Sequence, residues 1–281
     1  MTDLAPRAGV IGWPVDHSRS PLIHAFWLDH FRLPGSYERL PIAPEAVSNL
    51  KEILRAGGFV GANVTLPHKE IAATCADWID PGAAELGAVN TLWFHGDRLM
   101  ASNTDGYGFL ANLDERAPGW DRSTSKAVVL GAGGASRAII QALLQRGFDT
   151  VWILNRTVTK AERLAERFGS RCRAAALSQA ETILLAADVL VNTTAVGMKG
   201  EGTFDFSLDS LPPNAVVTDI VYTPLETELL KTARNRGLTC VDGLGMLLHQ
   251  AGPGFEKWFG QRPAVTAALR EHVLKDLGHA A

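Results

Sequence analysis

Short apolar runs alternate along this chain with stretches of helical periodicity, the pattern of repeated strand–helix units. In the first third, Gly9-Val10-Ile11-Gly12 predicts a strand, Pro21 to Phe31 a helix, Val47 to Ala56 a second helix and Phe59 to Val64 a second buried strand. Thr91-Leu92-Trp93-Phe94 and Arg98-Leu99-Met100-Ala101 flank His95-Gly96-Asp97, which predicts a hairpin with a three-residue loop and Gly96 at a positive φ. Gly106 to Leu113 reads as helix. Ala127 to Leu130, Val151 to Leu154, Val189 to Asn192, Val216 to Val221 and Leu238 to Val241 follow as strands, with helices at Arg137–Gln145, 161–168 and 225–236. From about Gly245 the pattern is helical, with no further strand signal.

This alternation places the chain in the α/β class, with a doubly wound parallel sheet in its second half. The expected organisation is two domains. Residues 107–242 form a Rossmann-like domain, and an N-terminal α/β domain of residues 1–106 is completed by the returning tail from about 243 to 281. Composition agrees: 281 residues, 46% hydrophobic and 20% charged, suit a soluble protein of two domains. A formal net charge of −3 gives no reason to expect nucleic acid as a partner. No apolar run approaches the roughly 20 residues of a membrane span, and no signal-peptide pattern opens the chain, so no membrane partner is expected. Cys75, Cys172 and Cys240 are scattered without a C-x-x-C, which predicts reduced thiols in a cytoplasm and no metal site.

The most specific local signal is the turn Gly131-Ala132-Gly133-Gly134-Ala135-Ser136, set between a strand and a helix. In that context glycines let the backbone approach a pyrophosphate, and the helix N-terminus offers it unpaired N–H groups. The next strand ends in Asn155-Arg156-Thr157, with Lys160 one turn on. An NAD site usually carries Asp or Glu there, roughly 20 residues past the glycines, to hold the ribose 2′-hydroxyl. Two cations and no carboxylate favour a 2′-phosphate, hence NADP. The alternative is a plain helix start, with Thr157 or Thr159 as cap and Thr159 to Glu162 as a capping box.

Three polar clusters precede the turn, each at the end of an apolar run. In His17-Ser18-Arg19-Ser20-Pro21 the alternate serines point one way, and Ser20 either caps the helix or joins Ser18 in binding a carboxylate. In Asn63-Val64-Thr65-Leu66-Pro67-His68-Lys69, Pro67 opens a helix, and Lys69 in its first turn opposes the helix dipole. Stability does not ask for a lysine there, which points to function; His68 reads as structural. In Asn103-Thr104-Asp105-Gly106, Asp105 either caps the next helix or serves with Lys69 as the acid/base pair that hydride transfer without a metal requires.

These motifs, with Gly87-Ala88-Val89-Asn90-Thr91, Asn192-Thr193-Thr194-x-x-Gly197-Met198, Asp219-x-Val221-Tyr222-x-Pro224 and Gly245-Met246-Leu247-x-x-Gln250, resemble the shikimate dehydrogenases in order and spacing over nearly the whole chain. That NADP-dependent shikimate/quinate family reduces 3-dehydroshikimate to shikimate on the route to chorismate and the aromatic amino acids. The resemblance implies that Ser18, Ser20 and Tyr222 hold the substrate carboxylate. It implies that Asn63, Thr65, Asn90, Asp105 and Gln250 bond the ring hydroxyls, and that Lys69 and Asp105 are catalytic. On the cofactor side it implies Gly131, Ala132, Gly133, Gly134, Ala135, Asn155, Arg156, Thr157, Lys160, Thr193, Met198, Val221 and Gly243. The partners expected are small molecules, with the chain a monomer or homodimer.

Three positions depart from the family pattern. Ala25 stands where asparagine is common, Ser102 where glycine is common, and Lys160 where arginine is common, which weakens bidentate phosphate binding while keeping the charge. The rivals are a quinate or aminoshikimate dehydrogenase of the same fold and a non-catalytic NADP-sensing regulator. The pair of serines and Arg156 argue against the first, and the intact Lys69 and Asp105 against the second. A serine hydrolase would need a G-x-S-x-G elbow, which the chain lacks.

Overall fold

A computed structural model describes residues 5–278. The chain divides into two compact units: everything up to Thr104 together with everything from Gln250 onward, and Asp105–His249. The second division falls inside the helix Leu244–Phe259, some residues beyond the return expected near 243.

The first unit is built on strands β1 (Arg7–Gly12), β2 (Ser36–Pro41), β3 (Phe59–Val64), β4 (Trp78–Ile79), β5 (Thr91–His95) and β6 (Arg98–Ser102). They form one mixed sheet in the order β2-β1-β3-β5-β6-β4. β1 runs parallel to β2 and β3, whereas β5 is antiparallel to both β3 and β6. The β5–β6 hairpin pairs His95 with Arg98, so its loop is the two residues Gly96-Asp97 rather than three, with Gly96 at φ +58°. Ile11, Val64, Leu92, Leu99, Leu50 and Leu54 form one core on this sheet.

Chain from beyond Gln250 completes the unit. The buried Trp258 indole donates to the Leu92 carbonyl at 2.8 Å, and Trp27 Nε1 donates to the Ala264 carbonyl at 3.2 Å. Gly61 in β3 is where the Trp258 indole passes, and a Cβ there would collide with the Trp258 Nε1 and the Leu92 oxygen.

Helix starts in this unit differ from expectation in informative ways. The helix Ser20–Phe31 begins at Ser20 itself, and the Ser18 hydroxyl oxygen accepts the Ser20 backbone N–H at 3.3 Å. The expected Val47–Ala56 helix is a 3-10 segment, Pro44–Asn49, running into the helix Leu50–Ala56. Pro67 lies outside its helix, which runs Lys69–Cys75 and carries Lys69 at its first position.

The second unit holds β7 (Lys126–Leu130), β8 (Thr150–Asn155), β9 (Cys172–Ala176), β10 (Val189–Asn192), β11 (Val216–Asp219) and β12 (Thr239–Val241). All are parallel, in the order β12-β11-β10-β7-β8-β9. Strand order reverses between β7 and β10, and ligands of open α/β sheets bind outside the strand carboxyl ends at such a point. The strands are buried on both faces. Val129, Ile153 and Val191 pack against the helix Gly134–Arg146, while Val128, Leu154 and Leu190 pack on the other side against Leu184 and Leu230. Continuous apolar strands are what this double burial demands.

Candidate functional site

The switch point of the second unit opens a cleft of about 310 Å³, lined by Gly131, Ala132, Gly133, Asn155, Arg156, Thr157, Lys160, Thr193, Thr194 and Ala195. Eight of these are residues the sequence assigned to a cofactor. Gly131 has φ +107°, and a Cβ on it would come within 2.7 Å of Thr194 Cγ2, so both its conformation and its surroundings call for glycine. Gly133 and Gly134 face open space, with nothing within 4 Å of a built Cβ, and the helix starts at Gly134 with no side-chain cap. Its first N–H groups are directed to whatever fills that space. Ala135 stands in the same first turn.

At the end of β8, Arg156, Thr157 and Lys160 are exposed. The capping reading fails here. Thr157 is the N-cap of the helix Val158–Phe168 yet makes no side-chain cap bond, and Thr159 lies inside the helix, where no capping box can form. Asn155 Nδ2 instead donates to the Thr157 carbonyl at 2.9 Å, fixing the turn that presents Arg156. The donor set, two cations with no carboxylate among the lining residues, fits a phosphorylated ribose.

The far side of the cleft is held by a buried carboxylate. Asp219, fully buried at the end of β11, accepts from Asn192 Nδ2 (3.0 Å), the Val221 N–H (2.9 Å) and Thr227 Oγ1 (2.8 Å). Burial raises its pKa from the usual aspartate value. Asn192 in turn accepts the Thr194 N–H and hydroxyl, at 2.9 and 2.8 Å, and Thr193 Oγ1 donates to the Leu130 carbonyl at 2.7 Å. One network therefore shapes both the Thr193–Met198 loop and the turn at Val221, with Met198 left half exposed at 46%. Gly243 sits against Val221: a Cβ on it would collide with the Ile220 carbonyl oxygen. Tyr222 follows directly, half-buried.

In the first unit the expected substrate residues gather in a second polar network at the ends of β3, β5 and β6. Asn63 Oδ1 accepts from the Tyr37 phenol at 2.6 Å, and Asn63 Nδ2 donates to the Asn90 carbonyl at 3.0 Å and Thr91 Oγ1 at 3.3 Å. Asn90 Oδ1 accepts from Thr91 Oγ1 (2.8 Å) and the Thr104 N–H (2.9 Å), and Asn90 Nδ2 donates to Gln250 Oε1 at 3.4 Å. Thr65 and Ser18 are half-buried and Ser20 is buried. Arg39 donates to the Ser18 carbonyl at 3.0 Å, and Arg19 pairs with Asp276 at 2.9 Å, so this turn is fastened from both sides.

Lys69 begins its helix, and Asp105 begins the helix Asp105–Arg116 of the second unit, standing in the first turn rather than ahead of it. His68 is fully buried with Nε2 at 2.7 Å from the Ile42 carbonyl, in keeping with its structural reading.

Sequence reasoning assigned no role to Tyr37, Thr91, Thr104 or Asp219. Thr91, Thr104 and Asp219 lay inside quoted motifs. Tyr37 lay in none, and its strand went unrecognised.

A second unit with an all-parallel switch-point sheet and a glycine turn open to a pyrophosphate, together with a first unit rich in buried amides and hydroxyls, defines a two-unit dinucleotide-dependent oxidoreductase. Two family models match the chain, that of the shikimate dehydrogenase substrate binding domain over residues 10–92 and that of shikimate / quinate 5-dehydrogenase over residues 114–198. The chain belongs to the shikimate dehydrogenase family. A shikimate dehydrogenase (NADP(+)) of Brucella canis is 54% identical over 98% of this chain and 96% of its own length. Among solved structures, shikimate 5-dehydrogenase of Thermus thermophilus in complex with NADP(H) and shikimate is 38% identical, with a TM-score of 0.85 over 96% of this chain and 99% of that one. Quinate dehydrogenase of Corynebacterium glutamicum in complex with NAD is 29% identical, with a TM-score of 0.88 over 96% and 99%.

Proposed function

We infer that this protein catalyses the reversible, NADPH-dependent reduction of 3-dehydroshikimate to shikimate. The observation that carries the reading is the 54% identity, over almost its full length, to a relative named for that substrate and cofactor. When bound, NADPH supplies the hydride that turns the ring ketone into an alcohol. Gly131, Ala132, Gly133, Gly134 and Ala135 would hold its pyrophosphate, and Asn155, Arg156, Thr157 and Lys160 its 2′-phosphate. Thr193, Met198, Val221 and Gly243 would line its nicotinamide end.

The chain's own part is binding and proton transfer. Ser18, Ser20 and Tyr222 donate hydroxyl protons to the substrate carboxylate, and Asn63, Thr65, Asn90 and Gln250 meet the ring hydroxyls. As the ketone carbon is reduced its oxygen gains negative charge, and the Lys69 ammonium delivers the proton that makes it a hydroxyl. In the reverse direction neutral Lys69 takes that proton back. Asp105, a carboxylate, accepts a bond from a substrate hydroxyl. The reading sets the protein in the cytoplasm, as a monomer or homodimer acting on small molecules in aromatic amino acid biosynthesis.

A quinate- or aminoshikimate-directed activity is the second reading, favoured by the likeness to the NAD-bound quinate dehydrogenase. One spectrophotometric assay separates them: reduction of NADP⁺ and NAD⁺, each with shikimate and with quinate. The expected result is fastest turnover with shikimate and NADP⁺. A preference for quinate with NAD⁺ would establish the second reading, and binding of NADPH with no turnover would identify a regulator.

A further inference from the structure

A primary amide has an acceptor end and a donor end, and a ligand meets whichever end its neighbours leave turned outward. In the first unit the two buried amides, Asn63 and Asn90, are fixed by each other's neighbours. Asn90 Oδ1 already accepts from Thr91 Oγ1 and the Thr104 N–H, which turns Asn90 Nδ2 toward the Gln250 side chain. Thr91 has one hydroxyl proton, so having given it to Asn90 it accepts from Asn63 Nδ2. Asn63 Oδ1 must then point the other way, and there it meets the Tyr37 phenol at 2.6 Å.

Tyr37 is held rigidly for this contact. Its ring stacks on His24 at a centroid distance of 3.9 Å and an interplanar angle of 10°, with the Trp258 ring 5.8 Å away. Burial also raises the phenol pKa well above its ordinary value, so it remains a proton donor wherever the enzyme would be assayed.

We propose that Tyr37 is a positioning residue for the substrate, the head of a one-way donor chain Tyr37→Asn63→Thr91→Asn90. The chain sets the polarity of the substrate side. Asn90 meets a ligand as an N–H donor, and Asn63 as an acceptor through the second lone pair of Oδ1. A ring that presents an acceptor to Asn90 and a hydroxyl proton to Asn63 matches this polarity. The inference rests on the reading of Asn63 and Asn90 as substrate contacts given above.

Tyr37→Phe tests it, because the ring and its stacking survive while the proton is lost. The expected result is an increase of about tenfold in KM for shikimate, the worth of one hydrogen bond, with KM for NADP⁺ unchanged. Thr91→Val should act in the same direction and Thr91→Ser should restore the wild-type value. Because both residues serve one chain, the Tyr37→Phe/Thr91→Val double variant should lose less than the product of the two single losses. An unchanged shikimate KM, equal rises for substrate and cofactor, or multiplicative losses would each overturn the proposal. If the wild type prefers quinate, the function reading falls, and the same comparison is made with quinate. If neither is turned over, side-chain amide NMR decides: Tyr37→Phe shifts the Asn90 amide signals as well as those of Asn63 if the chain exists, and those of Asn63 alone if it does not.

Discussion

In the function proposed above, Arg156 and Lys69 carry the two charges that set cofactor choice and proton transfer, and each can be removed without opening a cavity, since neither is buried. Arg156→Ala should raise KM for NADPH far more than for NADH, because only the former carries the phosphate that a guanidinium grips. Equal effects on the two coenzymes would defeat the assignment. Lys69→Ala should lower kcat by about two to four orders of magnitude, the span usual for an acid/base group, with a modest change in KM. Near-wild-type turnover would remove Lys69 from the reaction.

His24 makes a prediction of a different kind. It is fully buried among aromatic rings, and that burial, outweighing a raising contribution from Asn63, lowers its pKa to about 3. The unfolded chain titrates near 6.5, so below that pH it binds a proton the folded chain refuses. Stability is untouched above pH 6.5 and drains away as pH falls from about 6.5 toward about 3. Between pH 7 and pH 4.5 the loss from this group is about 3 kcal/mol. Urea titrations of wild type and His24→Leu at the two pH values measure it, and equal losses in the two proteins would dismiss the idea.

At the scale of elements, the ends of β10 and β11 depend on one carboxylate. Asp219→Ala leaves Asn192 Nδ2, the Val221 N–H and Thr227 Oγ1 without their acceptor, a cost of about 2–4 kcal/mol. The expected outcome is a lower melting temperature together with a higher KM for NADPH, since Thr193 and Val221 move with those ends. An unchanged NADPH KM would confine Asp219 to stability.

Elements also show what could be read beforehand. The cofactor cleft was legible because β7, the glycine turn, the following helix and β8 are contiguous in sequence and carry their signals locally. β2, β4 and β9 went unseen. Each lies at a sheet edge; β4 has two residues, and β2 is the polar run Ser36-Tyr37-Glu38-Arg39-Leu40-Pro41. Such strands owe their existence to a partner far along the chain, as β2 does to β1, rather than to their own periodicity. Losing β2 from the reading also lost Tyr37. The three-residue hairpin loop failed for a smaller reason, because pairing continued one residue further to His95 and Arg98.

At the scale of the molecule, the two units carry separate polar networks, and ligands should mark them separately. In hydrogen exchange, NADP⁺ should slow the amides of Gly131–Ser136 and 155–160, while shikimate should slow those around Ser18–Ser20 and Asn90–Thr91. Protection by shikimate confined to residues 155–160 would sink the division of labour. Among the described residues no helix is long and apolar enough to cross a membrane, and no cluster of three or more His, Cys, Asp or Glu side chains is placed to hold a metal.

The unit completed by Trp258 and Ala264 has a history written into its connectivity. Its N-terminal strands leave the ribosome before the second unit does, yet Leu92 and Trp27 wait for bonding partners 166 and 237 residues further along the chain. All of Asp105–His249 is translated in the interval, on the order of ten seconds at usual elongation speeds. The nucleotide-binding half can therefore mature on the nascent chain, while the unit begun before it stays unfinished until Trp258 and Ala264 have emerged.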